Sequence, residues 1–176
     1  MDTVRIIYAF VFFCAADFVH AQEFDTILWN AEQKLSWKDF KADPPKGGPA
    51  AAVTASGITY QFSSTLKGNE IALDFKVSTF FYPNKSWYKP ELCDTVVLGH
   101  EQLHFDISEL FARKMRKRLG ETKFSKQIKA EVRAIYKKIL RELSDFQNRY
   151  DTETNFSRNR EQQFLWNKKV QEALRK

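Results

Sequence analysis

Two histidines separated by three residues constrain the fold of this chain more than any other feature of its sequence. His100-Glu101-Gln102-Leu103-His104 contains two of the three histidines in the 176 residues, and the third is His20. On an α-helix, residues i and i+4 lie about 40° apart around the axis and one turn apart along it, so both imidazoles can reach one point. The pattern predicts a helix, and it is the HExxH pattern of zinc-binding helices in metallopeptidases.

The residues around this motif predict that the two imidazoles face the protein interior. Apolar residues share their side of the helix: Val96, Val97, Leu103, Ile107, Leu110, Phe111 and Met115. The opposite side carries polar residues and is expected to face solvent: Gln102, Asp106, Glu109, Arg113 and Lys117. A buried imidazole without a partner costs on the order of 1–3 kcal/mol. One metal ion would satisfy both rings; two core histidines bonded to the backbone are the alternative.

Glu101 projects about 100° away from His100, at the edge of the apolar side. A carboxylate placed there can hold a water molecule beside a metal ion and remove its proton, the general-base role in zinc peptidases. A surface glutamate on a solvated helix is the alternative.

The first 21 residues resemble a secretory signal peptide. Arg5 precedes an apolar stretch over residues 6–16, and Val19-His20-Ala21 is typical of a cleavage site before Gln22. The apolar stretch is too short and too interrupted for a membrane span. Residues 22–176 are the length of one domain, which we expect to be secreted or periplasmic. This mature part retains only His100 and His104, so a three-histidine zinc site is excluded and a third protein ligand is expected to be a carboxylate.

The chain carries a net charge of +6, with much of the excess in Arg113–Arg118 and in Lys137-Lys138. Such runs can mark nucleic-acid binding. Here they fall on predicted outer helix faces and often beside acidic residues, and no nucleic-acid-binding module is visible. A solvated surface is therefore the preferred interpretation, with no nucleic-acid partner.

The remaining pattern predicts an α+β fold. Residues 56–63 and 70–81 alternate between apolar and polar side chains, and the turn residues 67–69 between them predict a hairpin. A helix is expected from Pro90-Glu91 through the histidines to Leu119-Gly120, where the glycine suits a helix end.

Two further helices are expected. The second carries apolar residues at three- and four-residue spacing from Phe124 to Tyr150, and a loop over residues 151–157 follows it. Asn159 and Gln162 then resemble the capping pair of a last helix. The predicted architecture is a small antiparallel sheet packed on a helical half whose first long helix carries HExxH.

The segment from His100 to Glu109, followed by Ala112-Arg113, resembles the core of a family of predicted secreted bacterial zinc-dependent proteases, known mainly as a domain of unknown function. The resemblance extends to Leu35–Phe40 upstream, and to Tyr150–Thr154 and Gln162-Gln163 with Trp166 downstream. It implies a zincin-like fold, zinc on His100 and His104, and Glu101 as the catalytic base.

The chain departs from this family at one ligand position. The second motif of the family ends in a histidine that is its third zinc ligand, and Phe156 stands at that position here. Glu153 in the same loop is the predicted third ligand, with Asp151 as the alternative, because a carboxylate completes other zinc peptidase sites. Either residue could instead accept a hydrogen bond from a ligand histidine. Tyr150 is expected to be a core residue rather than an oxyanion donor.

These observations predict a secreted Zn²⁺-dependent peptidase. An extended peptide or protein substrate could add to an exposed edge of the hairpin sheet. The alternative is a catalytically degenerate zincin-like binding or structural protein, in which the change at Phe156 has weakened or removed the metal.

Overall fold

The computed structural model describes residues 25–68 and 70–175, and the predicted leader over residues 1–21 lies outside them. The described chain is α+β, a small antiparallel sheet with three α-helices, as the sequence predicts. The strands and α-helices are β1 (Ile27–Leu28), β2 (Ala52–Val53), β3 (Ser56–Lys67), β4 (Glu70–Phe81), β5 (Trp87–Tyr88), α1 (Thr95–Glu121), α2 (Ile128–Thr154) and α3 (Arg160–Arg175).

The predicted hairpin is confirmed. Strands β3 and β4 pair antiparallel from Ser56 opposite Phe81 at the base to the far end of β3, which is four residues longer than predicted. Gly68 in the turn has a φ of +61°, a conformation that glycine adopts without steric cost. Strand β1 pairs with the other side of β4, so the order is β1-β4-β3. The face with Ile58 and Val77 packs against the helices and forms the main core.

A second, two-stranded sheet was not predicted. Strands β2 and β5 pair antiparallel, with Ala52 opposite Tyr88 and Val53 opposite Trp87. Each strand is two residues long, and two residues are too few for alternation to distinguish a strand from a loop.

Helix α1 begins four to five residues later than predicted. The side chain of Asp94 accepts hydrogen bonds from the backbone N–H groups of Val96 and Val97, both at 2.9 Å, and so caps the helix. Pro90–Leu92 is a separate 3₁₀ turn. The helix continues through Gly120 to Glu121, so the predicted glycine stop is one residue early.

The prediction that one side of α1 faces solvent is wrong for two of its residues. Asp106 is fully buried, and Glu109 is only 4% exposed. The N-terminal segment and α3 cover Asp106, which accepts hydrogen bonds from Trp29 Nε1 and Gln171 Nε2. Strand β4 covers Glu109, which accepts one from Thr79 Oγ1 at 2.8 Å. The sequence of one helix cannot show that other elements pack on both of its sides.

Helix α2 extends into the predicted loop. It runs to Thr154, and Asn155 follows it with a φ of +47° as a left-handed cap. Residues 151–154 are therefore helical, which changes where their side chains point. The predicted cap of α3 is confirmed, because Asn159 Oδ1 accepts a hydrogen bond from the backbone N–H of Gln162 at 3.1 Å.

The basic run on α1 is not simply a solvated surface. Arg113 and Arg116 both contact the carboxylate of Glu109, at 3.2 and 2.9 Å. Arg118 pairs with Glu142 of α2 at 2.9 Å. These cations therefore help to hold the helices and the sheet together. No helix among the described residues is long and apolar enough to cross a membrane.

Candidate metal centre

Three side chains from two helices converge on one point. His100 and His104 lie on α1, and Asp151 lies on the last turn of α2. The two Nε2 atoms are 3.3 Å apart. One oxygen of Asp151, Oδ1, lies 3.1 Å from Nε2 of His100 and 2.9 Å from Nε2 of His104. These three residues form a group of potential metal ligands, which includes both predicted histidine ligands.

The donor atoms are of the type and spacing that zinc requires. Zinc is bound by histidine nitrogen and carboxylate oxygen at about 2.0–2.2 Å, which places tetrahedral ligand atoms about 3.3–3.6 Å apart. The nitrogen–nitrogen distance of 3.3 Å already fits, and the two distances to Asp151 would lengthen by about 0.2–0.7 Å to reach that range. A triangle with these three edges has a circumradius of about 1.8 Å, shorter than a zinc–ligand bond, so one ion can contact all three atoms.

The predicted third ligand, Glu153, is not brought to the histidines. Its Oε2 accepts a hydrogen bond from Trp166 Nε1 at 2.8 Å, and its Oε1 lies 3.9 Å from Arg149. Glu153 is two residues beyond Asp151, and on a helix two residues differ by about 200° around the axis. Because the segment was expected to be a loop, helix geometry could not choose between the two carboxylates. The carboxylate that the structure brings to the histidines is the alternative, Asp151.

The pKa values of Asp151 and His104 shift in opposite directions. Burial raises the pKa of Asp151, but its close contacts with the imidazoles of His100 and His104 outweigh burial, and the pKa of this carboxyl falls below its ordinary value. Burial lowers the pKa of His104, yet the hydrogen bond and charge of Asp151, together with the charge of Glu101, raise it above its ordinary value. A divalent cation bound here would displace the proton that His104 and Asp151 share.

The remaining ring nitrogen of His100 faces α3. Its Nδ1 lies 2.9 Å from Oε1 of Gln163, a residue only 4% exposed. Tyr150 is fully buried and stacks on the His100 ring with centroids 4.5 Å apart, in agreement with its prediction as a core residue. Sequence reasoning did not assign Gln163 a contact with the site. The only signal was that Gln162-Gln163 belongs to the stretch that carries the family resemblance.

Glu101 lines a cavity beside the three converging atoms. The cavity has a volume of about 430 Å³, and its wall also includes His100, His104 and Asp151. This volume is in the range of small-molecule and peptide-side-chain sites. Glu101 is 5% exposed, and no hydrogen bond to its carboxylate oxygens is found within the described part of the chain. A carboxylate in this position is free to accept a proton from a water molecule in the cavity.

The opposite wall of the cavity is formed by residues 49–54, which include β2. Thr54, the residue after β2, donates a hydrogen bond from Oγ1 to the backbone carbonyl of Glu101 at 3.2 Å and so links this segment to helix α1. The sequence predicted a peptide at the edge of the hairpin sheet, but the strand beside the histidines is β2.

Phe156 also lines this cavity, and its side chain is 59% exposed. It is the middle one of three consecutive residues with positive φ, at +47° for Asn155, +51° for Phe156 and +71° for Ser157. Residues other than glycine adopt this conformation at a cost of about 1–3 kcal/mol each, and such strain is concentrated at functional sites. Phe156, which stands where the resemblance implies a histidine, lies in the wall of the cavity.

Comparison with known protein families gives a match. A family model described as "Bacterial protein of unknown function (DUF922)" matches residues 34–158, more than two thirds of the chain. No curated protein and no solved structure matches the chain. His100, Glu101, His104 and Asp151 lie inside the matched residues, whereas Gln163 lies beyond them.

Proposed function

The chain belongs to the bacterial DUF922 family, and we propose that it is an exported zinc-dependent peptidase of zincin-like architecture. The observation that carries this proposal is the convergence of His100, His104 and Asp151 beside the cavity-lining carboxylate of Glu101. Two imidazoles and one carboxylate form the ligand set of one class of catalytic zinc site, which keeps a further position for water or substrate.

Each residue has a separate task in the proposed reaction. His100, His104 and Asp151 hold the ion, which when bound supplies a Lewis acid that acidifies water and polarises the scissile carbonyl. Glu101 accepts the proton of the attacking water and passes it to the leaving amine. The near-complete burial of Glu101 and His100 limits bulk water at the site, which strengthens these electrostatic interactions.

The free edge of β2 supports a peptide as the substrate. Lys89 donates its backbone N–H to the carbonyl of Ala51 at 2.8 Å, and the register places Ala52 opposite Tyr88. In an antiparallel pair the hydrogen-bonded positions alternate, so the N–H and C=O of Ala52 point away from β5. Among the described residues no strand pairs with that edge. An extended peptide can bind there through its main chain.

The catalytically degenerate alternative is favoured by Phe156, which lines the cavity and stands where the resemblance implies a third histidine ligand. Asp151 weakens this alternative, because it supplies a third donor atom without a histidine at residue 156. The two functions differ in one measurable respect, which is hydrolysis of a bound peptide.

The test uses protein purified without a histidine tag, reconstituted with Zn²⁺ and dialysed. We expect one zinc per chain by elemental analysis and cleavage of an unfolded protein substrate that a chelator stops. Glu101→Gln should retain the metal and lose at least about 100-fold in kcat/KM, because the amide cannot accept the proton of the water. Glu91→Gln, at an exposed position before α1, is the matched control and should cleave like the wild type.

Two results would contradict the proposal in different ways. The proposed donor set predicts about one zinc per chain. Less than about a tenth of an equivalent after reconstitution would show that the chain has no zinc site. Full zinc without hydrolysis of any protein substrate would favour the binding protein. Cell fractionation of the full chain and of the chain from Gln22 tests export, which should require residues 1–21.

A further inference from the structure

We infer that Gln163 is a positioning residue that fixes the tautomer of His100 and thereby aims the Nε2 lone pair of this imidazole at the metal. The inference rests on the proposed metal site and adds to it a residue from α3, outside the part of the chain that the family model matches. Its starting point is the 2.9 Å contact between His100 Nδ1 and Gln163 Oε1, in which both residues are buried.

The hydrogen bonds around Gln163 fit an amide whose oxygen faces His100 and whose NH₂ group faces Asn167 and Tyr150. Gln163 Nε2 lies 2.9 Å from Asn167 Oδ1 and 2.7 Å from the hydroxyl oxygen of Tyr150. An amide NH₂ group has two protons to donate, and these two oxygens can accept them. The hydroxyl proton of Tyr150 can go to the backbone carbonyl of His100 at 3.2 Å or to Gln163 Oε1 at 3.0 Å. Every donor in this arrangement has an acceptor.

The reversed amide would give His100 the other tautomer. Its NH₂ group would face His100 Nδ1 at 2.9 Å, and a neutral imidazole that accepts a hydrogen bond there carries its proton on Nε2. Nε2 is the atom that faces His104 and Asp151, so this tautomer could not bind an ion at that point. The structure has the first orientation, which turns the acceptor Oε1 toward His100.

An acceptor at this position requires that His100 Nδ1 carries a proton. A neutral imidazole has one N–H, so the lone pair is then on Nε2. Nε2 is the atom that lies 3.3 Å from His104 Nε2 and 3.1 Å from Asp151. Gln163 thus favours the tautomer that can ligate an ion at this point, and the stacked ring of Tyr150 limits rotation of the imidazole.

Four variants of the full chain test this role. Gln163→Leu removes the acceptor at similar volume, and Gln163→Glu keeps an acceptor oxygen. Asn167→Leu removes the partner that orients the amide. Gln162→Leu is the matched control, because it changes the adjacent, less buried residue of the same helix. The readouts are zinc affinity, by competition with a chromophoric chelator, and the tautomer of His100, by long-range ¹H–¹⁵N correlation in metal-free protein at alkaline pH.

Gln163→Leu should bind zinc about 10–100-fold more weakly and lose the Nδ1–H preference of His100. Gln163→Glu and Gln162→Leu should stay within about threefold of the wild type, since a carboxylate is a common partner of ligand histidines. Asn167→Leu should fall between these limits. A purely structural role would make affinity follow the thermal stability of the variants instead of the presence of an acceptor at residue 163.

The inference is overturned if folded Gln163→Leu binds zinc like the wild type, or if metal-free wild-type His100 carries its proton on Nε2. Should Gln163→Leu fail to fold, Gln163→Glu and Asn167→Leu decide by the same two readouts. A wild-type chain that binds no zinc but holds the Nδ1–H tautomer through Gln163 would contradict the proposed function and leave the role of Gln163 in place. The two failures are therefore distinguishable.

Discussion

The carboxylate clusters around Asp106 and around Asp151 both include side chains of helix α1, and they differ in how their hydrogen bonds are satisfied. Asp106, with a side chain 1% exposed, accepts hydrogen bonds from Trp29, Gln102 and Gln171 at 2.8–2.9 Å and lies 3.4 Å from Lys34. Four donors from three parts of the chain surround it. The second cluster contains Asp151, whose side chain is 24% exposed.

In the second cluster, the nitrogen and oxygen atoms that meet do not have enough protons between them for every contact to be a hydrogen bond. Two imidazole nitrogens approach a single oxygen of Asp151 and each other, and all three groups face a cavity. A cluster in which protein donors saturate the acceptor needs nothing else and can only hold segments together. A cluster of converging lone pairs beside a cavity has the arrangement that could hold a cation. The comparison therefore separates a structural site from a candidate functional one on the same helix.

The largest expected effect is a loss of stability on substitution of Asp106, whose cluster has a donor for each hydrogen bond. Asp106→Ala leaves three half-buried N–H donors, of Trp29, Gln102 and Gln171, without their acceptor, and we expect the free energy of unfolding to fall by about 3–5 kcal/mol. Urea denaturation measures this loss. Asp74→Ala, on the exposed face of β4, should change stability by less than about 0.5 kcal/mol. A loss below about 1 kcal/mol for Asp106→Ala would contradict the structural role of this cluster.

The next largest effect is expected at the cluster around Asp151, where a substitution should change zinc affinity. Asp151→Asn keeps the shape of the side chain but removes its charge, so zinc affinity should fall by at least about 100-fold, or about 2.7 kcal/mol. Adding zinc at 100 times its dissociation constant should stabilise the wild type by about 2.7 kcal/mol. At that zinc concentration the variant should gain much less. Equal stabilisation of both proteins by zinc would show that Asp151 is not a ligand.

A smaller effect concerns the wall opposite the histidines. Ala52→Pro removes the N–H that points to the free edge of β2, a position that tolerates proline because this N–H has no partner strand. In the Glu101→Gln background, an extended peptide should bind about three- to tenfold more weakly, while zinc affinity stays unchanged. Ala52→Val keeps the N–H and serves as the control. Unchanged peptide affinity in the proline variant would exclude main-chain pairing at this edge.

These two clusters also show what the sequence could predict. The spacing of His100 and His104 is a local property of one helix, and it placed both imidazoles together correctly. The burial of Asp106 depends on segments distant in the sequence, with Gln171 lying 65 residues away. No periodicity in α1 contains that information. The hairpin was predictable for the same reason as the histidine pair, because its alternation and its turn lie in one continuous stretch.

The sequence placed Glu153 at the histidines, whereas the structure brings Asp151 there. The difference arises at the end of helix α2. Asn155 adopts the left-handed cap conformation and ends α2, but Thr152 and Glu153 before it gave no helix signal that could be separated from the following turn. Helix ends are the least certain part of a sequence-based assignment. Four extra helical residues turn Asp151 toward the histidines and Glu153 toward Trp166.

The smallest expected effect tests this choice directly. Glu153→Gln should leave zinc affinity within about threefold of the wild type, because its carboxylate is not at the histidines and an amide oxygen can still accept the Trp166 N–H. Stability should change by less than about 0.5 kcal/mol, since the side chain is 46% exposed and its contact with Arg149 is long. Chelator competition on Glu153→Gln and Asp151→Asn in parallel makes the comparison. If Glu153→Gln lost tenfold or more in affinity while Asp151→Asn did not, the last turn of α2 would have to unwind when the metal binds.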